Sequence, residues 1–173
     1  FKNNMPVGGS SQAMERLGII MKFLDAEFVQ GFIRMANDGW EQGWHERNGG
    51  NLTYRMREEE VAECRPYFKE VPGEWVALGV QADNLKGEYF ISTGSGKFLQ
   101  NVGIEPQNSI CIVEINDKGD SYRIVWGLEN GGRPTSEFPT HFMNHSVRKR
   151  VTNGANRVIY HAHTPYVIAL TYV

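Results

Sequence analysis

Residues 110–127 read ICIVEINDKGDSYRIVWG. Two runs rich in Ile, Val, Tyr and Trp flank NDKGD, a polar run in which Asn116, Asp117 and Gly119 favour a chain reversal. The pattern predicts a β-hairpin, and therefore a sheet with at least one antiparallel pair. Working outward toward the N-terminus, EYFIST (88–93) reads as a strand, followed by the turn TGSG and the start of a helix at KFLQNV (97–102). Residues 57–87 are charged and carry Pro66 and Pro72, which predicts a short helix and an irregular excursion. NLTYRM (51–56) alternates like a strand and follows the glycine turn of HERNGG (45–50). Before it, Phe28, Val29, Phe32, Ile33, Ala36, Trp40 and Trp44 fall on one helical stripe, which predicts an amphipathic helix over 28–44. Toward the C-terminus, the turn NGGRPT precedes a helix over 136–151, capped by Thr135 or Ser136 with Pro139 in its first turn. RVIYHAH (157–163) reads as a strand and TPYVIALTYV (164–173) as the beginning of a helix. No repeat interrupts this order, and the chain reads as mixed α/β.

Composition narrows the partners. With 40% hydrophobic and 22% charged residues, 173 residues suffice for one substantial core. A net charge of -2 supplies no basic field for a nucleic-acid backbone or an anionic membrane surface, so neither is expected as a partner. No apolar run approaches the roughly 20 residues of a membrane span. Cys64 and Cys111 form no C-x-x-C motif and no disulfide framework, which fits a reducing cytoplasm. Residues 1–20, rich in Gly, Ser and Asn, are expected to be a tag, a leader or a disordered arm, with the domain occupying 21–173.

Several residues could carry chemistry. In a strand, His161 and His163 point to one face and can offer two imidazoles to one ion; equally, each can be satisfied by hydrogen bonds. Glu137, His141 and His145 fall at i, i+4 and i+8 of the next-best stripe, which is a second possible metal face or a structural one. Glu137 also stands at a helix start beside Thr135 and Ser136, where hydroxyls and backbone N–H groups converge. TGSG offers N–H groups and hydroxyls to an anion without the spacing of a Walker A loop. RNGGN sets the amides of Asn48 and Asn51 around two glycines that permit close backbone approach to a ligand.

Four of these stretches, GWHERNGGNLT, ISTGSGKF, PTSEFPTHF and RVIYHAHTPYVIALTYV, occur in this order and closely resemble the bacterial rhamnulose-1-phosphate aldolases of the class II aldolase and adducin family. The resemblance runs over about residues 28–173 and is weakest between 57 and 87. It implies α/β/α layers around a central, mainly antiparallel β-sheet, and a cytoplasmic homotetramer that cleaves L-rhamnulose 1-phosphate to dihydroxyacetone phosphate and L-lactaldehyde. Zn2+, one per subunit, is the implied cofactor, with His161 and His163 among its ligands and Glu137 as acid/base. Asn51, Ser95, Thr135 and Ser136 would bind phosphate, and Asn48 and the backbone at Gly50 would contact substrate oxygens. His141 and His145 have no metal role in that pattern. Charge left by carbon–carbon cleavage would be stabilised by a Lewis acid rather than by a Schiff-base lysine.

The third zinc histidine of that family lies well downstream of the H-x-H strand, so the chain is expected to be the N-terminal two-thirds of such an enzyme and inactive as it stands. Two alternatives share the same residues: an aldolase or epimerase for another ketose phosphate, such as L-fuculose 1-phosphate, and a non-catalytic binding module like the adducin head.

Overall fold

The computed structural model describes residues 23–172; the expectation for residues 1–20 lies outside them. Helix α1 spans Glu27–Glu41 and buries Val29, Phe32, Ile33 and Ala36 from the expected stripe. It stops short of the expected Trp44 because Gly43 takes a left-handed conformation (φ 68°), with Gly43 N–H donating to Trp40 O and Trp44 N–H to Gly39 O. Those paired bonds satisfy the last carbonyls of the helix and turn the chain away.

Six strands follow: β1 (Asn51–Arg55), β2 (Val76–Ala77), β3 (Tyr89–Thr93), β4 (Ile110–Ile115), β5 (Ser121–Gly127) and β6 (Val158–His161). They form one sheet in the order β2-β5-β4-β3-β1-β6, every neighbouring pair antiparallel. The expected hairpin is β4–β5. Asn116 closes it, its Oδ1 accepting from the N–H groups of Asp120 and Ser121, while Gly119 supplies the positive φ. Between β1 and β3 lie α2 (Glu58–Cys64) and the short edge strand β2, the latter unmarked by any alternation in the sequence.

Two expectations need correction. KFLQNV does not start an α-helix: a single 3-10 turn, Leu99–Asn101, is followed by the four-residue α3 (Pro106–Ser109). Gly103 is drawn against α1, where an added Cβ would stand 2.9 Å from Asn37 Nδ2, and Pro106 has no N–H to continue a helix. Helix α4 runs Phe138–Val151, with Glu137 rather than Thr135 or Ser136 at its N-cap. Thr135 belongs instead to the sheet margin, since its N–H donates to Thr93 O and Pro134 bridges to Gly94.

Both faces of the sheet are covered. Leu52, Tyr89, Ile91, Ile110, Ile112 and Trp126 pack with α1; Phe90, Cys111, Val113 and Ile115 pack with Phe138 and Phe142 of α4. These are the three expected layers, which alternation along each strand creates by sending successive side chains to opposite faces. Helix α5 (Pro165–Leu170) follows β6 and leaves Tyr166, Val167 and Leu170 largely exposed. Both cysteines are buried and free. No helix among the described residues is long and apolar enough to cross a membrane.

The far end of α4 is fixed by charge. Arg55, 2% exposed, donates to Glu88 Oε2 at 2.9 Å and to Gly154 O at 2.9 Å, and Lys149 pairs with the other oxygen of Glu88. Breaking a buried ion pair from one side leaves the remaining charge uncompensated. Replacing Glu88 by Gln should therefore lower unfolding free energy by about 2 kcal/mol, somewhat below the range for fully buried pairs because Glu88 keeps some solvent. An unchanged midpoint in urea would show that Arg55 needs no counter-charge there.

Candidate active site

Strand β6 pairs with β1 so that Asn51 faces His161 and Thr53 faces Ile159. These residues share the α4 side of the sheet, and Tyr160 points to the α1 side. His163 lies just past the strand, its N–H donating to Trp44 O at 2.7 Å. The rings of His161 and His163 stand 4.9 Å apart, centroid to centroid, and both are half-buried.

The start of α4 brings Glu137 to this pair. His161 Nδ1 and Glu137 Oε2 are 2.6 Å apart. An ionised carboxylate only accepts, so in neutral His161 the proton sits on Nδ1 and Nε2 keeps its lone pair. Burial by itself would raise the Glu137 pKa; hydrogen bonds from Asn51 and His161, with the electrostatic pull of the neighbouring imidazoles, outweigh it and hold the carboxyl below its ordinary value of 4.5. The cavity in front has a volume of about 260 Å³ and is lined by Asn48, Gly50, Asn51, Ser95, Thr135, Ser136, Glu137, His161 and His163. Residues drawn from four separate stretches of sequence thus meet on one concavity.

The polar walls are unevenly engaged. Ser95 N–H is taken by Arg133 O, and Glu137 N–H reaches Thr135 Oγ1 at 3.4 Å. The hydroxyls of Ser95 and Ser136 and the N–H groups of Gly96 and Ser136 have no partner among the described residues. Asn51 is buried with Oδ1 unpartnered.

His45 and Tyr160 were not singled out by the sequence, yet they brace the site. His45, 5% exposed, contacts Gly49 O through Nδ1 at 3.1 Å and Tyr160 Oη through Nε2. A carbonyl can only accept, so Nδ1 carries the proton and Nε2 accepts from the tyrosine. The glycine turn is thereby tied to the strand that carries His161. Gly50, at φ +78°, passes so close that an added Cβ would collide with the His45 ring and lie 2.8 Å from His161 O. The only sequence hint was the placement of His45 inside the GWHERNGG stretch.

The alternative stripe is sealed away. His141 and His145 are 2% and 0% exposed, and Thr53 Oγ1 lies 2.8 Å from His141 Nδ1 and 2.9 Å from His145 Nε2. Burial pushes their pKa values down, to about 4 for His141 and about 3 for His145. Among the described residues no group of three His, Cys, Asp or Glu side chains could hold a metal ion.

Two outcomes follow from this geometry. Replacing Gly50 by Ala should cost about 2 kcal/mol, from the positive φ and the collision with His45 together, readable as a lowered urea midpoint. A neutral midpoint shift would mean that the turn gives way. The histidine pair should make stability depend on pH. Both folded pKa values lie below the ordinary 6.5, so the unfolded chain binds more protons between them; stability is complete above about 6.5 and declines as pH falls toward 4 and then 3. The difference between the parent and His145→Phe, followed by urea titration across that window, isolates this contribution from carboxylate titration, and parallel curves would refute it.

The site can be set beside known proteins. Residues 30–173 match the class II aldolase and adducin N-terminal domain. The chain is 42% identical over 154 residues to the rhamnulose-1-phosphate aldolase of Mannheimia succiniciproducens, covering 89% of this chain and 56% of that protein. It is 45% identical to that of Klebsiella pneumoniae over 150 residues, and 46% identical to that of Salmonella paratyphi B over 149, each covering 54% of the relative and 87% and 86% of this chain respectively. The chain thus spans about half the length of the curated relatives it matches. A sugar-phosphate aldolase from Thermotoga maritima superposes with a TM-score of 0.66 at 28% identity, covering 83% of this chain and 56% of that one. With its antiparallel sheet between helical layers and a match from residue 30 onward, the chain belongs to the class II aldolase and adducin N-terminal domain family.

Proposed function

We propose that this chain is part of a zinc-dependent aldolase that cleaves L-rhamnulose 1-phosphate to dihydroxyacetone phosphate and L-lactaldehyde. The observation that carries the reading is the meeting of Glu137, the H-x-H pair and two hydroxyl-bearing turns on one cavity, in a chain 42–46% identical to proteins of that name.

His161 and His163 would hold the metal. The bare Nε2 of His161 is the neutral nitrogen donor that zinc takes, and Glu137 on Nδ1 fixes the tautomer and raises the basicity of the ring. The pair supplies two of the at least three protein ligands that a zinc site uses. When bound, zinc acts as a Lewis acid for negative charge developing on ketose oxygens.

The remaining steps belong to the protein's own groups. Ser95, Thr135, Ser136 and Asn51 would bind the phosphate, using the unengaged hydroxyls and N–H groups at the start of α4, where the helix dipole favours an anion. Asn48 and the backbone at Gly50 would orient the ketose oxygens, and remote phosphate binding would hold C3 against the carboxylate. Glu137, kept ionised by its neighbours, would remove the C3 proton of dihydroxyacetone phosphate in the condensation direction and return it during cleavage. The reading includes a single domain from residue 21 onward, a homotetramer, and a cytoplasmic setting.

In the complete enzyme, Glu137→Gln should reduce solvent exchange of the C3 proton by about a hundred- to ten-thousand-fold, with zinc content and phosphate affinity preserved. Exchange near the parental rate would remove Glu137 from the acid/base role. Anomalous scattering at the zinc edge should place the ion on His161 and His163, and an ion on His141 and His145 would overturn the assignment. Release of lactaldehyde measured across a panel of ketose 1-phosphates distinguishes the rhamnulose reading from the fuculose one.

A further inference from the structure

The buried hydroxyl of Thr53 contacts two imidazoles at once, and its capacity is limited. One O–H can donate to a single ring nitrogen, so the other ring must donate to the oxygen. Both rings could donate to the oxygen only if the O–H found another acceptor, and the two ring nitrogens are its only hydrogen-bond partners among the described residues, so two arrangements remain. In one, His141 donates from Nδ1 and Thr53 donates to His145 Nε2, which forces the proton of neutral His145 onto Nδ1. In the other, His145 donates from Nε2 and Thr53 donates to His141 Nδ1, which forces the proton of neutral His141 onto Nε2.

The unpartnered atom decides between them. His145 Nδ1 is fully buried and has no hydrogen-bond partner among the described residues. The first arrangement leaves an orphaned N–H there; the second leaves only a lone pair, the less costly of the two. The second therefore prevails. It also settles what faces the cavity: His141 Nε2 lies 4.0 Å from Glu137 Oε2, and in this arrangement it presents an N–H rather than a lone pair to that carboxylate.

We propose that Thr53 and His145 act as a buried relay that fixes His141 in its Nε2–H form, making His141 a positioning residue for Glu137. This deepens the aldolase reading of Glu137 and rests on it for its functional meaning. Glu137 Oε2 stands between two imidazoles, 2.6 Å from His161 Nδ1 and 4.0 Å from His141 Nε2. A carboxylate that leaves His161 to reach a substrate atom finds a second donor on its own helix, one turn away, and stays inside the cavity. With the opposite tautomer the two groups would face each other as lone pairs, and the carboxylate would be driven outward toward solvent. Burial holds the pKa values of His141 and His145 near 4 and 3, so both rings are neutral at neutral pH and the arrangement holds there without titration.

The test reads ring protonation directly, without metal or substrate. Long-range proton–nitrogen correlation spectra of the 15N-histidine-labelled chain distinguish protonated from bare ring nitrogens. The expected result is a bare Nδ1 and a protonated Nε2 on both His141 and His145. A protonated Nδ1 on His141 overturns the relay. In Thr53→Ser the pattern should persist, and in Thr53→Val His141 should lose its single tautomer and show a mixture. A single Nε2–H form retained in the valine variant would show that Thr53 does not set it. Glu137→Gln should shift the His141 Nε2–H resonance and leave the tautomer intact; an unmoved resonance would separate His141 from Glu137 and overturn the positioning role. A failed relay beside intact C3 proton exchange would leave the aldolase reading standing. Loss of that reading with the tautomers as expected would leave the relay as a structural device.

Discussion

The pairing of β1 with β6 is the constraint on which the site depends. Its register sets Asn51 opposite His161 and Leu52 opposite Tyr160, so that one strand pair serves both faces of the sheet. On the α4 side it delivers His161 to Glu137 and Thr53 to the buried histidines. On the α1 side it delivers Tyr160 to His45, and through His45 to the glycine turn. Because side chains alternate along a strand, a slip of one residue would exchange these faces and dismantle both arrangements together. Arg157 adds its own hold, donating to the carbonyls of Arg55 and Met56 where β1 ends.

Around that pair, the polar groups divide by depth. The half-buried layer, Glu137, His161 and His163, keeps one edge toward the cavity and can change partners. Behind it, Thr53, His141 and His145 are closed off and locked by mutual hydrogen bonds. Low dielectric in the closed layer strengthens each bond and makes an unpaired N–H expensive, which is why the single orphaned atom there is informative. Farther along α4, the ion pairs of Glu88 with Arg55 and Lys149 anchor the helix to the sheet. The N-terminal end of the same helix is thereby held in place over the cavity, with Glu137 at its N-cap. A rigid element set on a sheet in this way positions a side chain better than a loop does.

Much of the sheet was legible because hairpins and alternating strands depend on neighbours in sequence. The β4–β5 pair, strands β1, β3 and β6 and helix α1 could all be read from periodicity and turn residues. Strand β2 could not, since two exposed residues at a sheet edge leave no alternation to detect. Nor could the true starting point of α4, because the competing partner of Thr135 is Thr93, forty-two positions earlier. The absence of a helix after TGSG has a similar origin in the contact of Gly103 with α1.

The candidate site shows the same division. Sequence by itself determined which residue types were on hand: the H-x-H spacing put two imidazoles on one side of a strand, the TGSG and RNGGN turns offered N–H groups and amides, and Glu137 stood at a helix start. Those are local properties, fixed by strand period, glycine conformation and helix ends. Only the tertiary structure decided that these groups share one cavity, that His161 carries its proton on Nδ1, and that His141 and His145 turn inward onto Thr53 rather than outward as a metal face. It also brought in His45 and Tyr160, 115 positions apart. The physical reason is that a ring's proton and a helix's buried face are set by whichever partner the fold brings near, and for His161, His141 and His145 that partner lies on another element.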